Sequence, residues 1–366
     1  MWNRDATLRW FARLVQIAAW LNLACLLGIW FLLRFSVDAW WPATLLAFGP
    51  RWIWGVPSLV LALTLFVLSA LALVRRPRVW IVVAAALLVW AGPILGLVVP
   101  WRGLFASKPE GTPVRILTHN VGGVKEPGRL RDLMLREEPD LVALQECGNG
   151  FQHELTNDPR VARQWPYWII RREFIILSRF PLEDVRALPR RMYGASGRSA
   201  VGCFVATPDG RFPFVTVHLA SIRSGLEAFR AQKLAGVPGL EHVSTVRDQE
   251  SRGVAGWIAE NYPDGIVAGD FNMMTHSRNY RRDWNAYDDA FSRVGWGYGS
   301  TWRSRRHGLA IDHVLCGPSH RPAACHVLPG VGGDHQPVLA DVVPSLSRSD
   351  PQPPTAAAEH TAHGRN

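Results

Sequence analysis

The chain has 366 residues, too many for one average domain, with 48% hydrophobic residues, 17 Trp and a formal net charge of +10. No Lys/Arg run accompanies that charge, which argues against nucleic-acid recognition through a basic patch. The five cysteines, Cys25, Cys147, Cys203, Cys316 and Cys325, contain no CxxC pair and no zinc spacing, which excludes a structural zinc module.

Composition divides the chain in two. Residues 1–101 hold eight Arg, two Asp, no His and eleven of the Trp; residues 102–366 hold every histidine and 32 Lys+Arg against 28 Asp+Glu. In the first part, stretches 14–33, 53–74 and 79–99 are each about one bilayer thickness of apolar residues and predict three transmembrane helices. A cleaved signal peptide does not account for the first, because its apolar core runs past any small-residue cleavage site and two more spans follow. Trp lies mostly near the span ends, as interfacial belts do. The short loops carry Arg4, Arg9, Arg13, Arg75, Arg76 and Arg78 on one side against Arg34, Arg51, Arg102 and Lys108 on the other. That bias predicts a cytoplasmic amino terminus and residues 102–366 outside the cytoplasm, in a multi-pass protein of the cell membrane. Cys316 and Cys325 are then free to pair or not.

Residues 102–112 read as a short linker, 113–343 as an α/β domain large enough for a well-buried core, and 344–366, rich in Pro, Ala and Ser, as a disordered tail. Strands are expected at 114–120, 140–146, 174–177, 200–206, 214–218, 266–270, 310–315 and 338–343, with helices at 130–138 and 244–261. The run GIVAGDFN (265–272) is the clearest of them: a buried apolar strand broken by a glycine, then a carboxylate and a carboxamide. Other strands end alike, in Asn120, Glu146, His218, Asp312 and the pair Asp334/His335. Loops at one rim of an α/β scaffold are where sites are built. Carboxylates and carboxamides suit Mg²⁺ or Mn²⁺, and histidines beside carboxylates suit proton transfer near neutrality. His119 and His313 alternate to the opposite strand face and read as structural. His276, Arg278, Arg281 and Arg282 read as a solvated loop.

The motifs LTHN (117–120), LVALQE (141–146), TVHL (216–219), GDFN (269–272), IDHVL (311–315) and GDH (333–335) occur in this order. Together they resemble the endonuclease/exonuclease/phosphatase superfamily with its deoxyribonuclease-I-like fold, over roughly residues 113–343. The resemblance implies a four-layer sandwich, two packed mixed β-sheets flanked by helices, behind the membrane region. It also implies a divalent-metal-dependent phosphoesterase. By motif position, Glu146 would bind Mg²⁺ (or Mn²⁺), with Asn120 helping to hold metal and phosphate and Asp334 beside the metal. Asp270 and Asn272 would orient the attacking water and the phosphate, His335 would act as general base or phosphate binder, and Asp312 would orient His335. His218 matches the histidine of the deoxyribonuclease, sphingomyelinase and inositol-phosphatase branches, with Glu173 as its candidate partner. Arg198 resembles an arginine that contacts substrate phosphate. Water activation is open between Asp270 and the His335–Asp312 pair. Membrane-anchored bacterial members of the superfamily point to a lipid-linked phosphate as substrate. An extracytoplasmic nuclease is the alternative, which the mild +4 of residues 102–366 does not favour, and a non-catalytic binding module is a third.

Overall fold

The computed structural model describes residues 4–70, 77–101, 109–194 and 196–347. The amino-terminal part contains α1 (Arg4–Phe35), α2 (Trp41–Phe48), α3 (Val56–Ala70) and α4 (Pro77–Val89). Three helices, Trp10–Phe35, Arg51–Ala70 and Pro77–Ile94, are long and apolar enough to cross a membrane, and only 22%, 22% and 28% of their apolar windows are buried. Leu21, Phe31, Leu63, Phe66, Ile81 and Leu88 stand exposed on them. So large an apolar surface calls for lipid around it.

The third span is shorter than the apolar run that announced it. Pro93 falls in a widened π-type turn at Trp90–Ile94, where its ring and missing N–H interrupt the ladder. The chain then turns through Gly96 and forms an isolated bridge from Val98 to Gly297. Residues 95–99, expected within the membrane, thus join the second domain. Residues 102–108 of the expected linker lie outside the described residues, as does the 348–366 part of the expected tail. Residues 344–347 are packed: Ser345 donates its N–H to His320 Nδ1 (2.9 Å), and Ser347 pairs with Arg211.

The second domain runs β1 (Val114–Asn120), α5 (Pro127–Glu137), β2 (Leu141–Gln145), α6 (Asn149–Thr156), α7 (Pro159–Gln164), β3 (Tyr167–Arg171), β4 (Phe174–Ser178), β5 (Leu182–Pro189), β6 (Arg198–Thr207), β7 (Gly210–His218), α8 (Arg223–Gln232), α9 (Val237–Asn261), β8 (Ile266–Asp270), α10 (Arg278–Asp283), β9 (Asp288–Asp289), α11 (Ala290–Val294), β10 (Trp302–Arg303), β11 (Gly308–Leu309), β12 (Asp312–Cys316), β13 (Arg321–Val327) and β14 (Val338–Val343). Two six-stranded sheets form, in the orders β13-β14-β1-β2-β4-β3 and β5-β6-β7-β8-β12-β9. Each is mixed, with one parallel pair at its centre, β1 with β2 and β7 with β8.

Alternation of side chains along the strands builds three layers of packing. Ile116, Ala143, Ile176, Cys203, Phe214, Ala268 and Val314 meet between the sheets. On the outer face of the first sheet, Leu117, Val142 and Leu144 take α5, α6 and α7 through Leu130, Met134, Leu155 and Val161. On the outer face of the second, Val215, Val217 and Val267 take α9 through Val254 and Ile258. The result is the four-layer sandwich with helices outside. All five cysteines are free thiols, and Cys316 and Cys325 are buried without pairing.

His119, on the outward-facing register of β1, is buried and leaves both ring nitrogens without a hydrogen-bond partner. Burial pushes its pKa down to about 3. The unfolded chain therefore takes up a proton that the folded chain refuses as pH falls below 6.5, and stability is lost from there downward. At pH 5 this one residue withholds about 2 kcal/mol, equivalent to about 4–8 °C in melting temperature for a domain of this size. His119→Phe should narrow the melting-temperature gap between pH 8 and pH 5, and an unchanged gap would refute this account.

The two parts are docked, not merely tethered. Leu26, Ile29, Leu33, Val37, Ala47, Ala86 and Ile94 of the first share one buried cluster with Met274, Leu309 and Ile311 of the second. Polar contacts ring it: Trp52 Nε1 donates to Arg306 O (3.1 Å), His307 Nε2 lies 3.1 Å from Phe48 O, and Arg281 donates to Arg34 O (3.3 Å). Residues 278–283, expected as solvated loop, form α10, with Arg281 over the Phe35 ring and Arg282 paired to Asp248 and Asp283.

Candidate active site

At one end of the sandwich the inward-facing registers stop being apolar. In β1 the series Val114, Ile116, Thr118 ends in Asn120; in β7, Phe214 and Thr216 lead to His218; in β8, Ile266 and Ala268 lead to Asp270; β12 begins with Asp312. Register places His218 opposite Asp270, Asp312 opposite Asp270, and Asn120 opposite Gln145. The carboxyl ends of both parallel pairs therefore meet at one rim, where α/β folds place ligands. Gln145 closes the floor by donating to Thr118 Oγ1 (3.1 Å) in its own sheet and to Thr216 Oγ1 (2.9 Å) in the facing one.

Local backbone geometry serves the rim. Gly269 has φ +145°, and a Cβ there would collide with the Val217 carbonyl, so only glycine lets β8 lie against β7 just before Asp270. Glu146 and Asn272, each one or two residues past a strand end, have φ +58° and +52°. Asn tolerates this region; for Glu it costs about 1–3 kcal/mol and marks a side chain placed for use. A Cβ on Gly122 would collide with the Glu146 carboxylate, so the glycine leaves that carboxylate its place.

Asn120 Nδ2 donates to Glu146 Oε1 (2.8 Å) and Asp270 Oδ2 (2.9 Å), while its Oδ1 accepts from Gly122 N (2.9 Å). Asp270 also accepts from Asn272 N (2.8 Å) and Nδ2 (3.1 Å), and Asn272 Nδ2 reaches Leu219 O (2.9 Å). His335 Nδ1 donates to Asp312 Oδ2 (2.9 Å), and its Nε2 lies 3.8 Å from Asp270 Oδ2. His218 Nε2 stands 3.4 Å from Glu146 Oε1 and 3.9 Å from Asp270 Oδ2. Seven of the residues singled out by sequence, Asn120, Glu146, His218, Asp270, Asn272, Asp312 and His335, thus form one connected group.

Three others sit differently. Asp334 turns to Arg223 Nη2 and Trp302 Nε1, both at 2.9 Å, and not toward Glu146. Glu173 accepts the Arg198 N–H (2.9 Å) and makes no hydrogen bond to His218, whose Nδ1 has no partner. The Glu173–His218 pairing is not formed because Glu173, in the β3–β4 turn, is consumed by the start of β6. Arg198 makes no ion pair among the described residues; its guanidinium lies 3.4 Å from Gly197 O.

The electrostatics separate the titratable groups. Burial, reinforced by Asp312, pushes the Asp270 carboxyl up to about 7. Burial opposes protonation of His335, but the charge and hydrogen bond of Asp312, then Asp270 and Asp334, carry it up to about 10. Burial, with Arg190 and His335, drives His218 down to about 3. The shifts run in opposite directions, His335 toward its cation, His218 toward its neutral form and Asp270 toward its protonated form.

The donor set fits a hard divalent cation. Glu146 and Asp270 present carboxylate oxygens to one point, where the Asn120 amide bridges them and His218 Nε2 lies close to both, and Mg²⁺ is bound by one or two carboxylates plus substrate oxygens. Ligand-type atoms of Asp270, Asp312 and His335 also lie within 4.8 Å of one another, so both groupings share Asp270.

Several residues were missed by sequence reading. Thr301 Oγ1 accepts the N–H of Ile311 (3.1 Å) and Asp312 (3.0 Å), fixing the start of β12. Arg223 and Trp302 hold Asp334, and Arg190, Arg247 and Glu250 stand behind the rim. A signal existed for the last two: they share the inward stripe of α9 with Ser251, Val254 and Ile258, an odd place for charges.

A rim of this kind on this sandwich defines a metal-dependent phosphoester hydrolase. The model of the Endonuclease/Exonuclease/phosphatase family matches residues 117–335, and the chain belongs to that family. Solved structures similar to it include an endonuclease/exonuclease/phosphatase from Beutenbergia cavernae (19% identity, 63% of this chain and 72% of that one, TM-score 0.48). Others are the 3′ phosphatase NExo from Neisseria bound to product DNA hairpin (18%, 62% and 98%, 0.44) and the mannosyl-6-phosphatase of Bacteroides thetaiotaomicron (15%, 63% and 99%, 0.46). No curated protein matches the chain.

Proposed function

We propose that the chain is a membrane-anchored phosphoesterase acting on a lipid-linked or otherwise membrane-proximal phosphate ester, with its catalytic domain outside the cytoplasm. The observation that carries this reading is the sharing of side chains between rim and spans. Met274, two residues past Asn272, and Ile311, beside Asp312, pack against Leu26, Ile29 and Leu33. Trp302 packs on the same cluster while its Nε1 donates to Asp334, next to His335. The rim thus stands beside the amino-terminal helices, which supports a substrate held near the bilayer. The Lys/Arg bias of the short loops supports the orientation, and the loop after the first span and the end of the third both meet the catalytic domain, as three crossings require.

In this reading Glu146, Asp270 and Asn120 would hold Mg²⁺ or Mn²⁺. The ion would polarise a phosphoryl oxygen and offset developing negative charge. Asn272 and His218 orient the phosphate. His335, oriented by Asp312, stands beside it, and the attacking water gives its proton either to Asp270 or to the His335–Asp312 pair. Arg198 is the candidate for an outer phosphate contact. A nuclease is the second reading; a steep salt dependence would favour it.

The test uses the full chain in lipid nanodiscs with Mg²⁺, Mn²⁺ or EDTA. It is offered an isoprenyl pyrophosphate, a sphingomyelin, an inositol phosphate and plasmid DNA. Metal-dependent release of phosphate or headgroup from a lipid is expected; nicked plasmid without lipid turnover would overturn the substrate assignment.

A further inference from the structure

Helix α9 carries two charged side chains one turn apart, Arg247 and Glu250, each only 1% exposed. Both grip Ala220, two residues past His218. Glu250 Oε2 accepts the Ala220 N–H (2.7 Å), and Arg247 Nη1 donates to the Ala220 carbonyl (2.7 Å). Arg247 Nη2 donates also to the Asn272 carbonyl (2.9 Å). The two segments it holds are tied to each other, since Leu219 N donates to Asp270 O and Asn272 Nδ2 to Leu219 O, both at 2.9 Å. One guanidinium therefore fixes the spacing of the turns that carry His218, Asp270 and Asn272.

The two charges on α9 are balanced from different places. Glu250 has Arg190 within its own domain (2.9 Å). The carboxylate paired with Arg247 comes from the membrane region: Asp38, in the turn after α1, at 3.2 Å, with both side chains fully covered. Asp38 is itself held. Its backbone is left-handed (φ +62°), its N–H donates to the buried Thr44 Oγ1 (2.9 Å), and the Arg247 guanidinium also lies over the Phe48 ring of α2 (5.5 Å). A buried arginine needs its carboxylate to hold one orientation, and its fork geometry then transmits that orientation to both carbonyls.

We propose that Asp38 is a positioning residue for catalysis: through Arg247 it sets the Ala220 and Asn272 turns, so the membrane region acts on the chemical step as well as on location. This rests on the phosphoesterase reading. The test compares full-length wild type, Asp38→Asn and Asp38→Leu/Arg247→Met in phosphatidylethanolamine/phosphatidylglycerol nanodiscs with Mg²⁺. The probes are 4-nitrophenyl phosphate and bis(4-nitrophenyl) phosphate. Asp38→Asn should lower kcat at least about tenfold with KM within about twofold, since small misplacements of reacting groups cost up to about 10²-fold. That variant strands a buried charge and is open to misfolding, which is why the double variant is included. It removes both charges, and replacing a buried pair by apolar groups is often neutral for stability. If the pair merely welds the two parts together, the double variant recovers wild-type kcat and the inference is overturned; if it positions the turns, the double variant folds with a cooperative melt and stays at least about tenfold slow. Wild type inert toward both probes would sink the phosphoesterase reading and this inference with it, whereas active wild type with unimpaired variants would sink only the inference.

Discussion

Asp270→Asn should lower kcat by about 10²–10⁴-fold and steepen the rise of stability with pH on the acid side. Asp270 lies at the centre of the rim, accepting from Asn120 and Asn272 while facing His335 and His218. Burial and Asp312 raise its carboxyl to about 7 before any ion binds, and whether it serves as metal ligand or as proton acceptor the carboxylate is required. Asn fills the same space and keeps the acceptor for the Asn272 N–H, but it cannot take up a proton. The linkage has a definite sign. A carboxyl whose pKa is higher folded than unfolded makes the folded state bind more protons, so stability falls as pH rises between 3.8 and about 7. Asp270→Asn removes that component, which opposes the gain in stability that buried His119 and His218 give as pH rises, so melting temperature should climb more steeply between pH 4 and pH 7 than in wild type. Turnover and thermal unfolding measured from pH 4 to pH 8 check both halves. Activity within threefold of wild type would assign proton transfer to another group.

What sequence could disclose follows from how local each feature is. The rim residues were legible because each lies at or next to the end of a short apolar strand, and within a strand the two-residue period fixes which face a side chain joins. Position beside strand ends placed Asn120, Glu146, His218, Asp270, Asp312 and His335 together, and the period sent His119 and His313 to the other faces, where His313 bridges Asp289 and the Met273 carbonyl at 2.9 Å each. The period alone would have sent Glu146 outward after the inward Gln145, and its left-handed backbone (φ +58°) marks the departure. Strands β3 and β5 escaped notice because their exposed positions dilute the apolar pattern. The end of the third span was misplaced because hydropathy counts residues 95–99 as membrane-compatible, while Pro93 and Gly96 decide where the helix stops. Contacts between distant segments left no trace at all. Asp38 and Arg247 are 209 positions apart, and nothing local marks the aspartate as the counter-charge of a buried arginine. Glu173 shows the converse: motif order suggested a partnership with His218, and the backbone of β6 claimed the carboxylate first.

Docking of the two parts has a direct consequence for any attempt to separate them. Residues 109–347 expressed alone should fold poorly, or melt at least about 10 °C below the full chain. In the full chain Met274, Leu309 and Ile311 are 2%, 3% and 4% exposed, covered by the ends of the spans. Uncovering them forfeits about 1.5–3 kcal/mol for each fully exposed side chain. Arg247 simultaneously loses Asp38; breaking a buried pair costs about 3–5 kcal/mol, toward the lower figure here because the cut admits water to the guanidinium. Against a total stability of about 5–15 kcal/mol, these losses are large. At about 2–4 °C per kcal/mol for a domain of this size, they correspond to the shift stated. The loss should also be local. Hydrogen exchange should accelerate first in residues 218–220 and 270–274, the turns that Arg247 and the apolar cluster hold, while the inter-sheet core stays protected until global unfolding. A fragment that melts within a few degrees of the full chain, with slow exchange in those turns, would show that the catalytic domain is complete without its anchor. The expected result instead makes the membrane region a part of the folded enzyme, and it requires activity to be measured on the intact chain in lipid.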